Sequence, residues 1–200
     1  MSESLNQNFN HLKVHTQYSI CEGAAKIDDL QEYCKSNKVK SLGISDTSNL
    51  CGALEFAEKI SKSGTQPIIG TQINFKLNDT TGLIPIFALN ETGYKNIIEL
   101  SSNSYLENDE LSDPHVNFNE LLKSSDGVSV FSGTVLGLFG KLFDKGKFTE
   151  INEIYSKIKE FFGDRFYLEI QRHNDTNENG FEKFNLKKSV ELEIPIIATN

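Results

Sequence analysis

The chain has 200 residues, with 20 Lys and Arg against 28 Asp and Glu, a formal charge of −8, 38% apolar residues and 24% charged residues. That composition excludes a fibrous or disordered chain, and the length suffices to bury a sizeable core. No stretch approaches the roughly 20 consecutive apolar residues of a membrane span. The opening MSESLNQNFN lacks the basic and apolar parts of a secretory signal. Cys21, Cys34 and Cys51 are odd in number and show no CxxC, which fits neither a disulfide framework nor a zinc ribbon. A reducing cytoplasm is the expected compartment. Arg165 and Arg172 are the only arginines, so an acidic chain with this cation set is a poor self-sufficient clamp for nucleic-acid phosphates.

In chain order, Phe9 to His15 reads as a short strand, with Leu12 and Val14 on one face and His11, Lys13 and His15 on the other. After a loop, a helix starts near Lys26 with Asp28 and Asp29 in its first turn, where acids suit the dipole. Val39 to Ser45 is a strand ending at Asp46. Ser48 or Asn49 is placed to cap the next helix. That helix carries Leu50, Leu54, Ala57 and Ile60 on one face and stops at Gly64. Pro67 to Phe75 and Leu83 to Leu89 read as strands of a hairpin turning at Asn78 to Gly82, with Pro85 arguing against a central position.

A helix over about Thr92 to Tyr105, an acidic loop over 106–116, and a short helix from Phe118 to Ser124 follow. Val128 to Phe131 is a strand. Val135 to Phe143 and Thr149 to Phe162 are helical, the latter with a stripe of Ile151, Ile154, Tyr155, Ile158 and Phe161. Phe166 to Ile170 is a strand, residues 174–180 turn, a helix runs to about Glu191, and Ile194 to Ala198 is a last strand. Strands alternating with helices predict an α/β fold with a largely parallel sheet. The sequence stops directly after a strand, so a piece of a longer polypeptide is expected.

Ligands of parallel α/β folds gather at the carboxyl ends of strands. The predicted strands deliver His15, Asp46, Gln72 to Asn74, Ser132 and Thr134, Glu169 and His173, and Thr199 and Asn200 to that end. His15, Asp46 and His173 are metal-ligating types. The plainer reading is a hydrogen-bonded His at a strand end and an Asp that caps a turn. The sequence assigns no role to His11 or His115.

The blocks HLKVHTQYSICEGAAK (11–26), GISDTSNLCGALEF (43–56), PIIG (67–70), ETGYKNI (91–97), FSG (131–133), DRFYLEIQRH (164–173) and IPIIATN (194–200) occur in order. Together they resemble the N-terminal PHP (polymerase and histidinol phosphatase) domain of bacterial replicative DNA polymerase III alpha subunits. The resemblance covers nearly the whole chain from about Phe9. It implies a distorted (β/α)7 barrel, here C-terminally truncated, with residues 1–200 as one incomplete PHP domain and the polymerase domains absent. Metal-binding members of the family carry His, Asp, Glu and Cys at the strand ends and hydrolyse phosphoesters, in some alpha subunits as a 3′–5′ exonuclease.

Carried over position by position, the resemblance implies remnant metal-site positions at His15, Glu22, Asp46 and His173. It implies lost ligand positions at Lys13, Thr47, Gln72, Leu83 and Thr134. A protonated lysine offers no lone pair and opposes a bound cation. Lys13 is expected to pair with Asp46 or Glu22 instead. The expectation is therefore a PHP domain without catalytic residues or a cofactor of its own. It would stabilise the polymerase domains of its parent chain and dock an epsilon-type proofreading exonuclease subunit. DNA would be reached through the parent chain, whose nucleotidyl transfer uses magnesium, and no membrane is involved.

The alternative is a metal-dependent phosphoesterase or 3′–5′ exonuclease acting through a residual site with weakly bound zinc or manganese. An unrelated sugar-phosphate barrel enzyme is a third reading, for which no Gly-rich phosphate loop is found.

Overall fold

The computed structural model describes residues 9–106, 108 and 112–199. The predicted first strand is reduced to isolated parallel bridges, Val14 to Ile44 and Thr16 to Ala25. It still bonds to the neighbouring strand, with Gly43 N donating to His11 O (2.7 Å) and Ser45 N to Val14 O (2.9 Å), but acceptors three residues apart against donors two apart break the strand register. Helix α1 (Ile27–Asn37) leads into β1 (Ser41–Thr47), then α2 (Ala53–Ser61), β2 (Gln66–Leu77) and β3 (Thr80–Ala88). Next come α3 (Glu91–Leu106), β4 (Val116–Asn117), α4 (Phe118–Lys123), β5 (Val128–Phe131), α5 (Leu138–Asp144) and α6 (Phe148–Phe162). β6 (Phe166–Ile170), α7 (Glu178–Leu192) and β7 (Ile196–Ala198) complete the described chain.

Several local expectations shift. Ser48 has a left-handed backbone (φ 57°) and the position before α2 is Gly52, so neither Ser48 nor Asn49 caps that helix. Asn49 accepts a hydrogen bond from Cys51 N (3.0 Å), which forms an Asx turn ahead of it. Because α2 starts at Ala53, its inner face is Ala53, Phe56 and Ile60, while Leu54 is 71% exposed. On α6 the last core residue is Phe162, and Phe161 is half exposed. The β2–β3 hairpin turns at Asn78 and Asp79, tighter than expected. Pro85 lies inside β3, just before the pairing with β5 begins at Ile86. Part of the expected acidic loop (107 and 109–111), as well as Asn200, lies outside the described residues.

The strands form one sheet in the order β1-β2-β3-β5-β6-β7, with the short β4 beside β2. β3 runs antiparallel to both neighbours and the other pairings are parallel, so the sheet is mixed. Leu42 and Ile44 of β1 pack with Ile27, Cys34, Phe56 and Ile60 of α1 and α2. A larger core joins β2, β3, β5 and β6 to α3–α7, centred on Ile73, Ile84, Phe139, Tyr155 and Phe166. Tyr155 is fully buried and donates its hydroxyl to Asn185 Oδ1 at 3.0 Å, while burial pushes the phenol far above its usual range.

The sheet is strongly curled. Lys13 lies in the segment outside β1 and Glu169 in β6, five strand spacings away. A flat sheet would hold them on the order of 24 Å apart, at about 4.8 Å per strand. Their side chains meet at 3.1 Å. The architecture is the distorted barrel-like α/β fold that the sequence implies.

Candidate functional site at the strand ends

Curling brings the carboxyl ends of the strands around one cavity of about 360 Å³. Lys13, His15, Glu22, Gln72, Leu83, Thr134 and His173, all singled out in the sequence, line it. Thr47 does not line it but bonds to Glu22 and Gln72, which do, and Asp46 sits behind it, bonded to Thr16 and Ser19. A larger hollow of about 530 Å³ near α5, α6 and α7 is lined by Phe143, Phe148 and Phe184 without any His, Cys, Asp or Glu, and lies away from the strand ends.

Asp46 is buried, and both its oxygens are engaged. Oδ1 accepts from Thr16 N (2.6 Å) and Ser19 Oγ (2.7 Å), and Oδ2 accepts from the Thr16 hydroxyl (2.7 Å). The carboxylate thus anchors the 16–19 turn to the end of β1. Three of the positions singled out in the sequence are joined by a hydrogen-bond chain. Gln72 Nε2 donates to Thr47 Oγ1 at 2.8 Å, and the Thr47 hydroxyl donates to Glu22. Leu83 and Thr134 present a hydrocarbon and a hydroxyl to the cavity.

Lys13 corrects an expectation. Its partner is neither Asp46 nor Glu22 but Glu169, with Nζ 3.1 Å from Oε1. The two side chains are 5% and 0% exposed. Asp46 is unavailable because nearer hydroxyl and amide donors satisfy it, and Glu22 is engaged by Thr47. The Thr199 hydroxyl donates to the same Glu169 oxygen, and Oε2 has no hydrogen-bond partner among the described residues. Glu169 was visible only as a strand-end residue. The signal for a larger role was an acid inside the apolar run FYLEI, since a buried carboxylate requires a cation or several donors. Thr16 gave no signal beyond lying in a loop.

The histidines divide. His15 borders the cavity, its Nδ1 3.5 Å from Ser19 Oγ. Burial, followed by the charge of Lys13, holds its imidazole below the ordinary value of 6.5. His173 lines the cavity, and its backbone N–H donates to Glu178 (2.7 Å). His11 packs edge-on against Phe9 and Tyr33, and the His115 ring nitrogen Nδ1 donates to Asp113 O (2.8 Å). Among the described residues no three His, Cys, Asp or Glu side chains gather as a metal site. Cys21, Cys34 and Cys51 are free thiols.

The lowered imidazole value sets a pH response. The unfolded chain binds the His15 proton more readily than the folded one, so this residue removes stability as pH falls below 6.5 and has no effect well above it. Urea unfolding at about pH 7.5 and about pH 5.5 is expected to show a smaller acid-side loss in His15→Gln than in the parent chain. An equal loss in both would show that His15 takes up its proton freely in the folded state.

Both arginines are engaged within the fold. Arg165 Nη1 donates to Val128 O (2.8 Å), and Arg172 forms a two-point pair with Glu182 (3.0 and 2.8 Å). No helix among the described residues is long and apolar enough to cross a membrane.

The sequence matches the PHP domain family over residues 11–173. DNA polymerase III subunit alpha of Caulobacter vibrioides is 34% identical, the alignment covering 100% of this chain and 18% of that protein. The subunit of Rickettsia felis is 35% identical over 96% of this chain and 16% of its own length. That of Borreliella burgdorferi is 34% identical, with 98% and 18% covered. The chain therefore spans less than a fifth of the length of these relatives. Among solved structures, a protein from Bifidobacterium adolescentis described as a metal-dependent phosphoesterase superposes with TM-score 0.60 at 12% identity, covering 94% of this chain and 85% of that one. An amidohydrolase from Chromobacterium violaceum, with bound sulfate and no metal, gives 0.60 at 10% identity, with 95% and 86% covered. At such identities the likeness is one of fold.

Proposed function

The chain belongs to the PHP domain family, and from that premise we propose that it is a PHP domain of a replicative DNA polymerase III alpha subunit that performs no phosphoester chemistry of its own. It braces the polymerase domains of its parent chain and offers a docking surface to a separate proofreading exonuclease subunit, in the cytoplasm. DNA and the magnesium of nucleotidyl transfer are the business of the parent polymerase.

The observation that carries the non-catalytic reading is the ammonium of Lys13, buried at the strand-end cavity and paired with Glu169. A divalent ion placed there would face a fixed positive charge. It would also find the oxygens of Asp46 already taken by three donors. Competing for those oxygens costs both the hydrogen bonds and the burial of the freed donors. The other substituted positions, Thr47, Gln72, Leu83 and Thr134, supply an amide, hydroxyls and a leucine, which are poor or null ligands for zinc or manganese and leave only His15, Glu22 and His173 as metal-ligating types at the cavity. The residues present therefore do not fit the metal cluster of the catalytic members. With both arginines already engaged by partners of this chain, it is also poorly equipped to grip DNA unaided.

The test is elemental analysis of protein purified without chelator, run with a phosphodiesterase assay on a nitrophenyl phosphodiester. Substoichiometric zinc and manganese and no activity above buffer are expected. Stoichiometric metal, or activity lost in His15→Ala, would establish the second reading, a residual metal-dependent phosphoesterase or exonuclease. That reading draws on the presence of His15, Glu22 and His173 around a single cavity.

A further inference from the structure

We propose that Lys13 is a built-in cation that closes the curled sheet, joining its two ends through Glu169 where the cavity no longer supplies donors for a metal. This rests on the non-catalytic reading above. Among the described residues no backbone pairing joins β7 to the segment outside β1, so the sheet is open along that side. At the strand ends, the first segment and the residue after β7 both reach one atom of β6. Glu169 Oε1 receives the ammonium of Lys13 from the first segment and the hydroxyl of Thr199 from the residue after β7.

A metal at a barrel mouth does the same mechanical work. It places positive charge centrally and ties side chains from separate strands to it. Lys13 differs because its charge belongs to the chain and cannot dissociate.

The desolvation of the pair makes the arrangement mutually dependent. Neither group is exposed enough to be hydrated alone, at 5% and 0%. Among the described residues Glu169 Oε2 has no hydrogen-bond partner, so they hold no second donor in reserve if Lys13 is removed. Glu169 itself is held in place, since its N–H donates to Ser132 Oγ at 2.9 Å. Loss of either charge therefore strands the other, whereas loss of both leaves an apolar contact between the same elements.

The experiment is a cycle of Lys13→Met, Glu169→Leu and the double variant, followed by urea unfolding of the 200-residue chain with and without EDTA. Each single substitution is expected to lower the folding equilibrium constant about a thousandfold, the usual order for breaking a buried pair. The double variant is expected to be more stable than either single. In Lys13→Ala, n-butylammonium should restore part of the lost stability and n-butanol should not, because the site requires the charge. Should Lys13→Met be unfolded without urea, the cycle is run with Thr199→Val, whose loss is expected to vanish in the Glu169→Leu background. Losses that multiply in the double variant, or equal rescue by the alcohol, overturn the closing role and leave the non-catalytic reading standing. A parent chain that loses stability in EDTA and carries stoichiometric metal overturns that reading, and the proposal with it.

Discussion

Asp46→Ala is expected to destabilise the chain by about 4 kcal/mol, since hydrogen bonds to a charged group contribute roughly 1.5–3 kcal/mol each and three of them share this carboxylate without adding fully. The three donors are Thr16 N, the Thr16 hydroxyl and the Ser19 hydroxyl, at 2.6–2.7 Å. Alanine leaves them facing a small cavity, and Thr16 and Ser19 are themselves buried. The turn that leads from the first segment toward α1 then loses its anchor to β1. Urea unfolding measures the loss directly.

The result also separates two roles for one residue. A metal ligand held ready for an ion is repelled by its neighbours and often gives up stability for binding, so its removal costs little folding energy in the apo protein. A structural anchor costs the full amount whether or not metal is added. A loss of less than about 1 kcal/mol, an ordinary value for a substitution with no special mechanism, would count against the anchor and reopen the metal reading. Asp46→Asn is the finer probe, because it keeps the shape and places an amide N–H₂ against one of the donors.

The order of strands and helices was legible because periodicity and punctuation agree almost throughout. FYLEI and VSVF are short β-rich runs, and the α6 stripe has clean helical spacing. The first segment misled because HLKVH alternates like a strand while pairing only at isolated bridges. Its hydrogen bonds to β1 depend on a partner that no local pattern reveals. The α2 face slipped for a related reason, since the Asx turn at Asn49 delays the helix to Ala53 and rotates the buried stripe.

At the candidate site, seven positions singled out in the sequence line one cavity, because strand ends are a topological property that order alone conveys. The partner of Lys13 was not legible. Its contact with Glu169 spans 156 residues and exists only because the sheet curls. Sequence can show that a buried lysine needs a carboxylate, but the choice among Asp46, Glu22 and Glu169 is made by which carboxylates already have closer donors.

Gly43→Ala is expected to cost about 3 kcal/mol or more, at or above the upper end of ordinary overpacking. A Cβ at Gly43 would lie 2.2 Å from Leu12 O and 2.7 Å from Leu12 Cα, both backbone atoms. No side-chain rotation relieves such a contact. The 11–16 segment must move off β1, and with it go the bonds from Gly43 N to His11 O and from Ser45 N to Val14 O. Lys13 lies between those bonds, so the displacement also carries its ammonium away from Glu169. The glycine at the middle of β1 and the ion pair across the cavity are therefore energetically linked although they do not touch. Combining Gly43→Ala with the Lys13→Met/Glu169→Leu pair tests the link. The glycine substitution should cost less in that background than in the parent chain, because the ion pair is no longer there to be broken. Equal costs in the two backgrounds would show that the segment leaves β1 without disturbing Lys13, and that the close approach at Gly43 serves local packing alone.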